Sequence, residues 1–456
     1  MRKTVLFFLT LLLLGNSGLF AQSQKIAVTV YNQDLALVEE VRTIPPTGRS
    51  AILTWKNVPA RIDPTSVHVK WLRGAKSAIL EQNFEYDLIN ATKLFRKYVG
   101  KNVGFRLKNQ TELTGKLLAV GQFVVLQTAD GKIVTVNPDQ IVQYTFPELP
   151  EGLILRPALH WILRNPLKRS ATIRVDYLTS GMNWHAEYVG VLSRDEKTLE
   201  VSGWASIENQ SGTAYKNAEL KLVAGQPNRV YGRKPSRYGM QLTKAMPVAE
   251  AERFSERAAF EYHLYNLNGR TTLLQNQTKQ IPLFKPKAVT FHKKFVFDGQ
   301  RWGKAIRVFL TFRNSPQEGI GKPLPAGKFR IYEKDSPESS IFLGEDWVNH
   351  TPVEETVTLH VGNAFDIRGK RTQTATKKIA KRALEESYSI EIKNFKDAAI
   401  TVEAIEHLNY QAPRSQWEIV RASQKYSQKD SRTIVFPVHI AAHGVSTVTY
   451  TVRYEW

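Results

Sequence analysis

The chain has 456 residues, no cysteine and a formal net charge of +21 at pH 7. The absence of cysteine excludes disulfides, thiol catalysis and a lipid-modified N-terminal cysteine. The excess of Lys and Arg favours anionic partners such as acidic glycans, lipid head groups or nucleic acid, with a solvated basic surface as the plain alternative.

Residues 1–21 have the pattern of an export signal. Arg2 and Lys3 precede the apolar run VLFFLTLLLLG, and the small residue Ala21 lies just before a predicted cleavage at Gln22. The apolar run is roughly 11 residues long, against about 20 for a membrane-spanning helix. We therefore expect an extracytoplasmic mature chain, periplasmic or secreted, that begins with a β segment over residues 22–88.

The pattern of residues 89–150 predicts a small inserted domain. The stretch TKLFRKYV favours a short helix, and five short strand patterns follow it, with Gly100 and Gly115 among them. One helix and five strands resemble an Sm-like or SH3-like barrel. The RNA-binding signature of Sm proteins and the aromatic pair of RNA-recognition modules are missing, so nucleic acid is not the expected partner.

The rest of the chain reads as strands. STVTYTVRYEW, at residues 446–456, alternates apolar with polar residues, which is typical of a half-buried strand. Residues 151–228 and 259–456 therefore predict immunoglobulin-like β-sandwich regions in an all-β protein. Three similar strand ends place Asn209, Asn314 and Asn394 before turns, where an Asn amide can bond the backbone. Residues 229–258 predict a basic linker with a possible helix in PVAEAERFSERAA, and TATKKIAKRALEE is a further possible helix.

The stretch FLGEDWVNHTPVEETVTLHVGNAFDI, residues 342–367, concentrates polar groups, with two histidines and five carboxylates. It lacks the close His-x-His or His-Glu-x-x-His pairs that hold zinc. We interpret it as a structural turn motif with polar caps, formed by Gly344, Asp346, His350, Glu355, Gly362 and Asp366. His439 and His443 of HIAAH would be about 13 Å apart on a strand, too far to share an ion. No metal, cofactor or catalytic residue is predicted.

Two basic runs are the remaining candidate binding sites in the sequence. They contain Arg229, Arg233, Lys234 and Arg237 in RVYGRKPSR, and Lys377, Lys378, Lys381 and Arg382 in RGKRTQTATKKIAKR. Each run alone fits a solvated loop. Together they predict one or two surfaces that bind an anionic ligand.

Three stretches occur in order along the chain: TVYNQDLALVEEVRTI, YLTSGMNWHAEYVGVL and the 342–367 stretch. They resemble the domain-of-unknown-function family found in mucoidy inhibitor A-like bacterial proteins. The resemblance breaks at residues 89–146, and the long coiled coil of many such proteins is missing. It implies an extracytoplasmic β-rich protein with a link to exopolysaccharide or envelope biology, and it supplies no catalytic residues.

The sequence therefore favours a non-enzymatic secreted or envelope protein that binds an anionic glycan, a lipid surface or another envelope protein. The alternative is a hydrolase of envelope glycan or peptide whose acids converge from distant strands. These two hypotheses differ in whether carboxylates meet in an open cleft.

Overall fold

The computed structural model describes residues 23–86, 91–148, 156–225, 227–228, 254–259, 262–336, 338–408 and 416–456. The predicted export signal and residues 229–253 of the predicted linker lie outside this part. Within it the chain is built almost wholly of strands, which confirms the all-β prediction. No helix in the described ranges is both long enough and apolar enough to cross a bilayer.

The elements follow in chain order. The first are β1 (Ser23–Tyr31), β2 (Ala36–Ile44), β3 (Ile52–Lys56), a 3-10 helix at Pro64–Ser66, β4 (His68–Gly74) and β5 (Ile79–Glu85). The insertion holds α1 (Ala91–Tyr98), β6 (Asn102–Leu107), β7 (Glu112–Val120), β8 (Val124–Gln127), β9 (Ile133–Val136), a 3-10 helix at Pro138–Gln140 and β10 (Ile141–Thr145).

The next strands are β11 (Ala158–Leu163), β12 (Ala171–Thr179), β13 (Met182–Leu192), β14 (Leu199–Asn209), β15 (Tyr215–Ala224), β16 (Phe254–Ala259), β17 (Tyr262–Leu273) and β18 (Gln277–Val289). Then come β19 (His292–Phe297), β20 (Ile306–Arg313), β21 (Gly327–Ser336), β22 (Ser339–Val348), β23 (Thr356–Asn363) and β24 (Ile367–Ala380). The last are β25 (Ala383–Asn394), β26 (Ile400–His407), β27 (Gln416–Ala422), β28 (Ser427–Asp430), β29 (Thr433–Ile440) and β30 (Val445–Glu455).

A first core lies among three sheets, with strand orders β16-β17-β15-β1-β2-β12-β4, β18-β14-β13-β21-β22 and β3-β11-β5. Strict alternation of buried and half-buried residues in β2, β12 and β13 places one face of each strand in this core. β2 pairs with β12, and β14 pairs with β18. Strands that precede and follow the insertion therefore pair in one sheet, and strands that precede and follow the predicted linker pair in another.

A second sandwich packs the six-stranded sheet β23-β20-β19-β26-β29-β28 against the four-stranded sheet β24-β25-β30-β27. Its core includes Phe297, Ile390, Phe436 and Val452, all fully buried. The possible helix in TATKKIAKRALEE is wrong, because this segment forms the β24–β25 hairpin. The possible helix in PVAEAERFSERAA is also wrong at residues 254–259, which pair with β17 as β16. Strand pairing outweighs the local helix preference at both places.

The insertion has its own small core. Its five strands form an antiparallel sheet in the order β10-β6-β7-β8-β9, and Tyr98 of α1 packs with Phe105, Leu117 and Leu126. The predicted helix and five strands are confirmed. Gly115 lies so near β8 that an added Cβ would be 2.4 Å from the carbonyl oxygen of Gln127.

Three asparagines at equivalent strand ends are almost completely buried, and they tie neighbouring turns together. They are Asn209, Asn314 and Asn394. The Asn314 side chain donates to the carbonyl oxygens of Lys322 and Pro352, while its Oδ1 accepts from the amide of Gly321. Asn209 and Asn394 make equivalent bonds to turn backbone. The predicted role of these asparagines is confirmed.

A buried ion pair lies inside the second sandwich. The Nε atom of Arg371 donates to Glu406, 2.8 Å from Oε2 and 3.1 Å from Oε1, and the hydroxyl of Tyr450 donates to the same carboxylate. The guanidinium also stacks 3.9 Å from the ring centroid of Tyr388. Burial raises the pKa of the Glu406 carboxyl, against the opposing effect of Arg371. Arg371 belongs to a basic run in the sequence, yet its charge is used internally.

Candidate functional site

The second predicted basic run lies on the β24–β25 hairpin. We call residues 372–382 the basic hairpin; all of them are exposed. β24 is an edge strand, and the register Ala380↔Ala383 places Lys381 and Arg382 at the turn. Among the described residues, no ion pair involves Lys377, Lys378, Lys381 or Arg382. The structure therefore gathers these four predicted residues into one cationic edge.

The carboxylate directly opposite Lys377 is already engaged. Glu385 lies opposite Lys377, and opposite Arg453 on the other neighbouring strand. It accepts two hydrogen bonds from Arg453, at 3.0 Å from Nε and 2.7 Å from Nη2. Both bonds end on Oε1, and this charge-assisted contact pairs the Glu385 carboxylate with Arg453 rather than with Lys377.

An open cleft of about 480 Å³ adjoins the turn of the basic hairpin. It is lined by Ala380, Arg382, Ala383, Gln416, Glu455 and Trp456. The amide of Trp456 donates to the carbonyl oxygen of Arg382 at 3.1 Å, which holds the two residues together. The cleft is shallow and open, and the residues that line it include a cation, a tryptophan, a side-chain amide and a carboxylate.

The sequence did not connect this cleft with the basic run. Trp456 appeared only as the last apolar residue of an alternating strand. Its position beside Arg382 depends on the register of β25 on β30, in which Ala383 lies opposite Glu455. The other predicted basic residues, Arg229, Arg233, Lys234 and Arg237, lie outside the described residues.

The predicted turn motif is wrong for Gly344, Asp346 and Gly362, which lie in strands, whereas His350, Glu355 and Asp366 do lie in the segments between strands. Gly344 and Asp346 lie within β22, and Gly362 lies within β23. A Cβ on Gly344 would be 2.0 Å from the carbonyl oxygen of Val361, so glycine is needed where β22 meets β23. A Cβ on Gly362 would find its nearest atom at 4.0 Å. The backbone of a neighbouring strand therefore approaches Gly344 closely, but no such close approach occurs at Gly362.

Asp346 joins the same two strands through backbone hydrogen bonds. Its Oδ2 atom accepts from the amide of His360 at 2.7 Å, and its Oδ1 atom accepts from the amide of Trp347 at 2.8 Å. Burial and the nearby charge of Arg307 lower the pKa of His360. Asp346 therefore connects the edges of two sheets.

The remaining motif residues also act through the backbone. His350 Nδ1 accepts from the amide of Ala326 at 3.1 Å. Glu355 is exposed, and its main-chain carbonyl accepts from the amide of Asn314. Asp366 lies in a bend, where its carbonyl oxygen accepts from the amide of Phe395. Across the described ranges no group of three or more His, Asp or Glu side chains is arranged to hold a metal ion.

Comparison with known protein families gives a match over most of the chain. Residues 173–456 match the model of a protein family described as "Domain of unknown function (DUF4139)". The match includes the basic hairpin, the cleft and the 342–367 stretch, and it begins after the insertion. No curated protein matches the chain.

Proposed function

The chain belongs to the DUF4139 family, and from this premise we propose that it is a non-catalytic binding protein of the cell envelope whose basic hairpin and cleft hold an anionic glycan. The observation that carries the proposal is the set of four exposed cations without an ion-pair partner in the described part, beside a cleft that contains Trp456. Export through residues 1–21 and a mucoidy inhibitor A-like role belong to the same proposal.

The four charges are close enough to act together. Lys377 to Arg382 span six residues around one hairpin turn, where the backbone rises about 3.3 Å per strand residue and successive side chains point to opposite faces. Because the screening length at physiological salt is about 8 Å, charges on the same face and at the turn repel one another through incompletely screened water. A polyanion that lies along the edge would remove this repulsion and release it as binding energy.

The cleft favours a glycan over a lipid surface. The half-buried indole of Trp456 lines the cleft while packing against the core of the second sandwich, and its remaining surface would stack on a sugar ring. Gln416 and Glu455 offer groups that bond hydroxyls. Glu455 would repel a ligand that carried negative charge on every side. A sugar acid suits both the cation and the carboxylate of the cleft, because it can direct its own carboxylate toward Arg382 and its hydroxyls toward Glu455.

A simpler explanation of the basic hairpin is protective. Lysines on an edge strand prevent its pairing with the edge of another molecule. This function needs no ligand, and it predicts aggregation rather than lost binding when the charges are removed. The two explanations therefore make different predictions for the same variant.

The test compares two variants with the same net charge. One reverses Lys377, Lys378, Lys381 and Arg382 to Glu, and the control reverses the exposed residues Lys108, Lys116, Lys168 and Arg169 to Glu. We expect the wild type and the control to bind polygalacturonate at low salt, and the hairpin variant to lose this binding. Binding should also fall as NaCl rises to 1 M, where the screening length is about 3 Å.

Three outcomes would contradict the proposal. Equal loss in the control variant would show a general charge effect. Stronger binding to phosphatidylglycerol vesicles than to polygalacturonate would assign the basic hairpin to lipid head groups. A hairpin variant that aggregates but still binds polygalacturonate would leave only the protective role. Trp456→Ala separates the cleft from the charges, because it should weaken binding while the salt dependence remains.

A further inference from the structure

A different surface lies on the five-stranded sheet of the first core. Four residues on adjacent strands form one row across its outer face: Trp204 on β14, Glu187 on β13, Lys328 on β21 and Trp347 on β22. Each is the direct register partner of the next, so all four point to the same side. Strands are about 4.8 Å apart, so the two tryptophans lie about 14 Å from each other. We call this set the tryptophan row.

The exposure of these two indoles needs an explanation. The chain has nine tryptophans, all in the described part, and only Trp204 and Trp347 count as exposed, at 38% and 54%. Trp184, in contrast, is fully buried and donates its Nε1 to the carbonyl oxygen of Val223. Large aromatic side chains on a solvent-facing sheet forgo their burial energy, which is a mark of binding surfaces.

Charged groups with fixed partners fill the space between the tryptophans. Glu187 contacts His185 at 3.0 Å and Arg330 at 2.5 Å. Glu345 lies 3.4 Å from Arg330 and 3.5 Å from Lys328. Counting histidine as neutral, two cations and two carboxylates balance. The surface therefore offers donors and acceptors in a held arrangement and carries no net charge.

We propose that the tryptophan row binds a neutral glycan chain that lies across the strands. Indole faces stack on the apolar faces of sugar rings, and sugar hydroxyls can both donate to the carboxylates and accept from Lys328 and Arg330. An anionic polymer would meet the two carboxylates between the tryptophans. The centre of a protein–protein interface is depleted of charged residues, whereas charges occupy the centre of this surface.

This surface is independent of the basic hairpin. Its residues lie on β13, β14, β21 and β22, in a different sheet from β24 and β25. Because its charges balance, its affinity should change little with salt, while binding at the basic hairpin should fall steeply. The two sites would let the protein hold a neutral and an acidic polysaccharide at the same time.

The experiment measures binding of the full chain to neutral hexasaccharides of glucose, N-acetylglucosamine, mannose and xylose by calorimetry and by tryptophan fluorescence. We expect at least one to bind, with affinity unchanged between low salt and 1 M NaCl. Trp204→Ala and Trp347→Ala should each weaken it about tenfold or more, and Trp204→Phe should restore part of the loss. Phe123→Ala removes an exposed aromatic residue of the insertion and is the control. The quadruple hairpin variant should bind these sugars normally.

Several results would overturn the proposal. Failure of all four hexasaccharides to bind is one, and binding that survives both Trp→Ala substitutions is another. Melting curves of the variants close to that of the wild type would show that a loss of binding does not come from unfolding. Self-association of the wild type in sedimentation, lost in the Trp→Ala variants, would instead make the face an interface between copies of the chain. Phe342, exposed further along β22, would then belong to that interface.

Discussion

Replacing Arg371 by methionine removes the cation that Glu406 faces inside the second sandwich. The Glu406 side chain is completely buried and that of Arg371 is 16% exposed, so water can compensate little of the loss. Breaking a buried pair by removing one partner costs about 3–5 kcal/mol. For a domain of about 150–250 residues, each kcal/mol of lost stability lowers the melting temperature by roughly 2–4 °C. We therefore expect a fall of roughly 6–20 °C.

The effect should depend on pH in a definite direction. Burial already raises the pKa of Glu406, and without Arg371 nothing as strong opposes it. A carboxyl whose pKa is higher in the folded than in the unfolded chain lowers the free energy of unfolding by its full amount above the folded-state pKa. The loss of stability becomes smaller as the pH falls toward the unfolded-state pKa. The difference in melting temperature between Arg371→Met and the wild type should therefore be smaller at about pH 5 than at about pH 8.

Thermal melts followed by circular dichroism provide the assay, with two further variants. Lys370→Met, at the preceding and exposed position of β24, should change stability by at most about 1 kcal/mol. The double variant Arg371→Met with Glu406→Leu should recover much of the loss, because no buried charge remains unpaired. If the single and double variants melt alike, or if Arg371→Met melts with the wild type, the ion pair does not have the role assigned to it.

Two other substitutions test the packing of the strands. Gly344→Ala should destabilise the protein by about 1–3 kcal/mol, because the added Cβ would meet the carbonyl oxygen of Val361. Gly362→Ala is the control and should have little effect. Equal effects of the two substitutions in urea unfolding would refute the close approach of β22 and β23. Asn314→Ala should cost about 1–3 kcal/mol because backbone groups of Lys322, Pro352 and Gly321 lose their partner. Exposed Asn349→Ala is its control, and equal melting of the two would show that water replaces the Asn314 amide.

The sequence by itself determined the strands and several of their ends. Period-2 alternation is a local property, so the pattern of STVTYTVRYEW was enough to predict β30, and an Asn before a turn was enough to place Asn209, Asn314 and Asn394. The insertion followed from one helix and five short strand patterns.

Only the tertiary structure decided what those faces meet. Arg371 looked like one more surface cation, and its burial follows from the packing of β24 over the core of the second sandwich. Gly344 and Gly362 looked equivalent, but only one of them lies where two strands touch. The tryptophan row depends on the parallel pairing of β13 with β21, whose residues Glu187 and Arg330 are 143 positions apart. Local sequence sets which side of a strand a residue occupies, whereas the register between distant strands sets its neighbours, and no local pattern encodes that register.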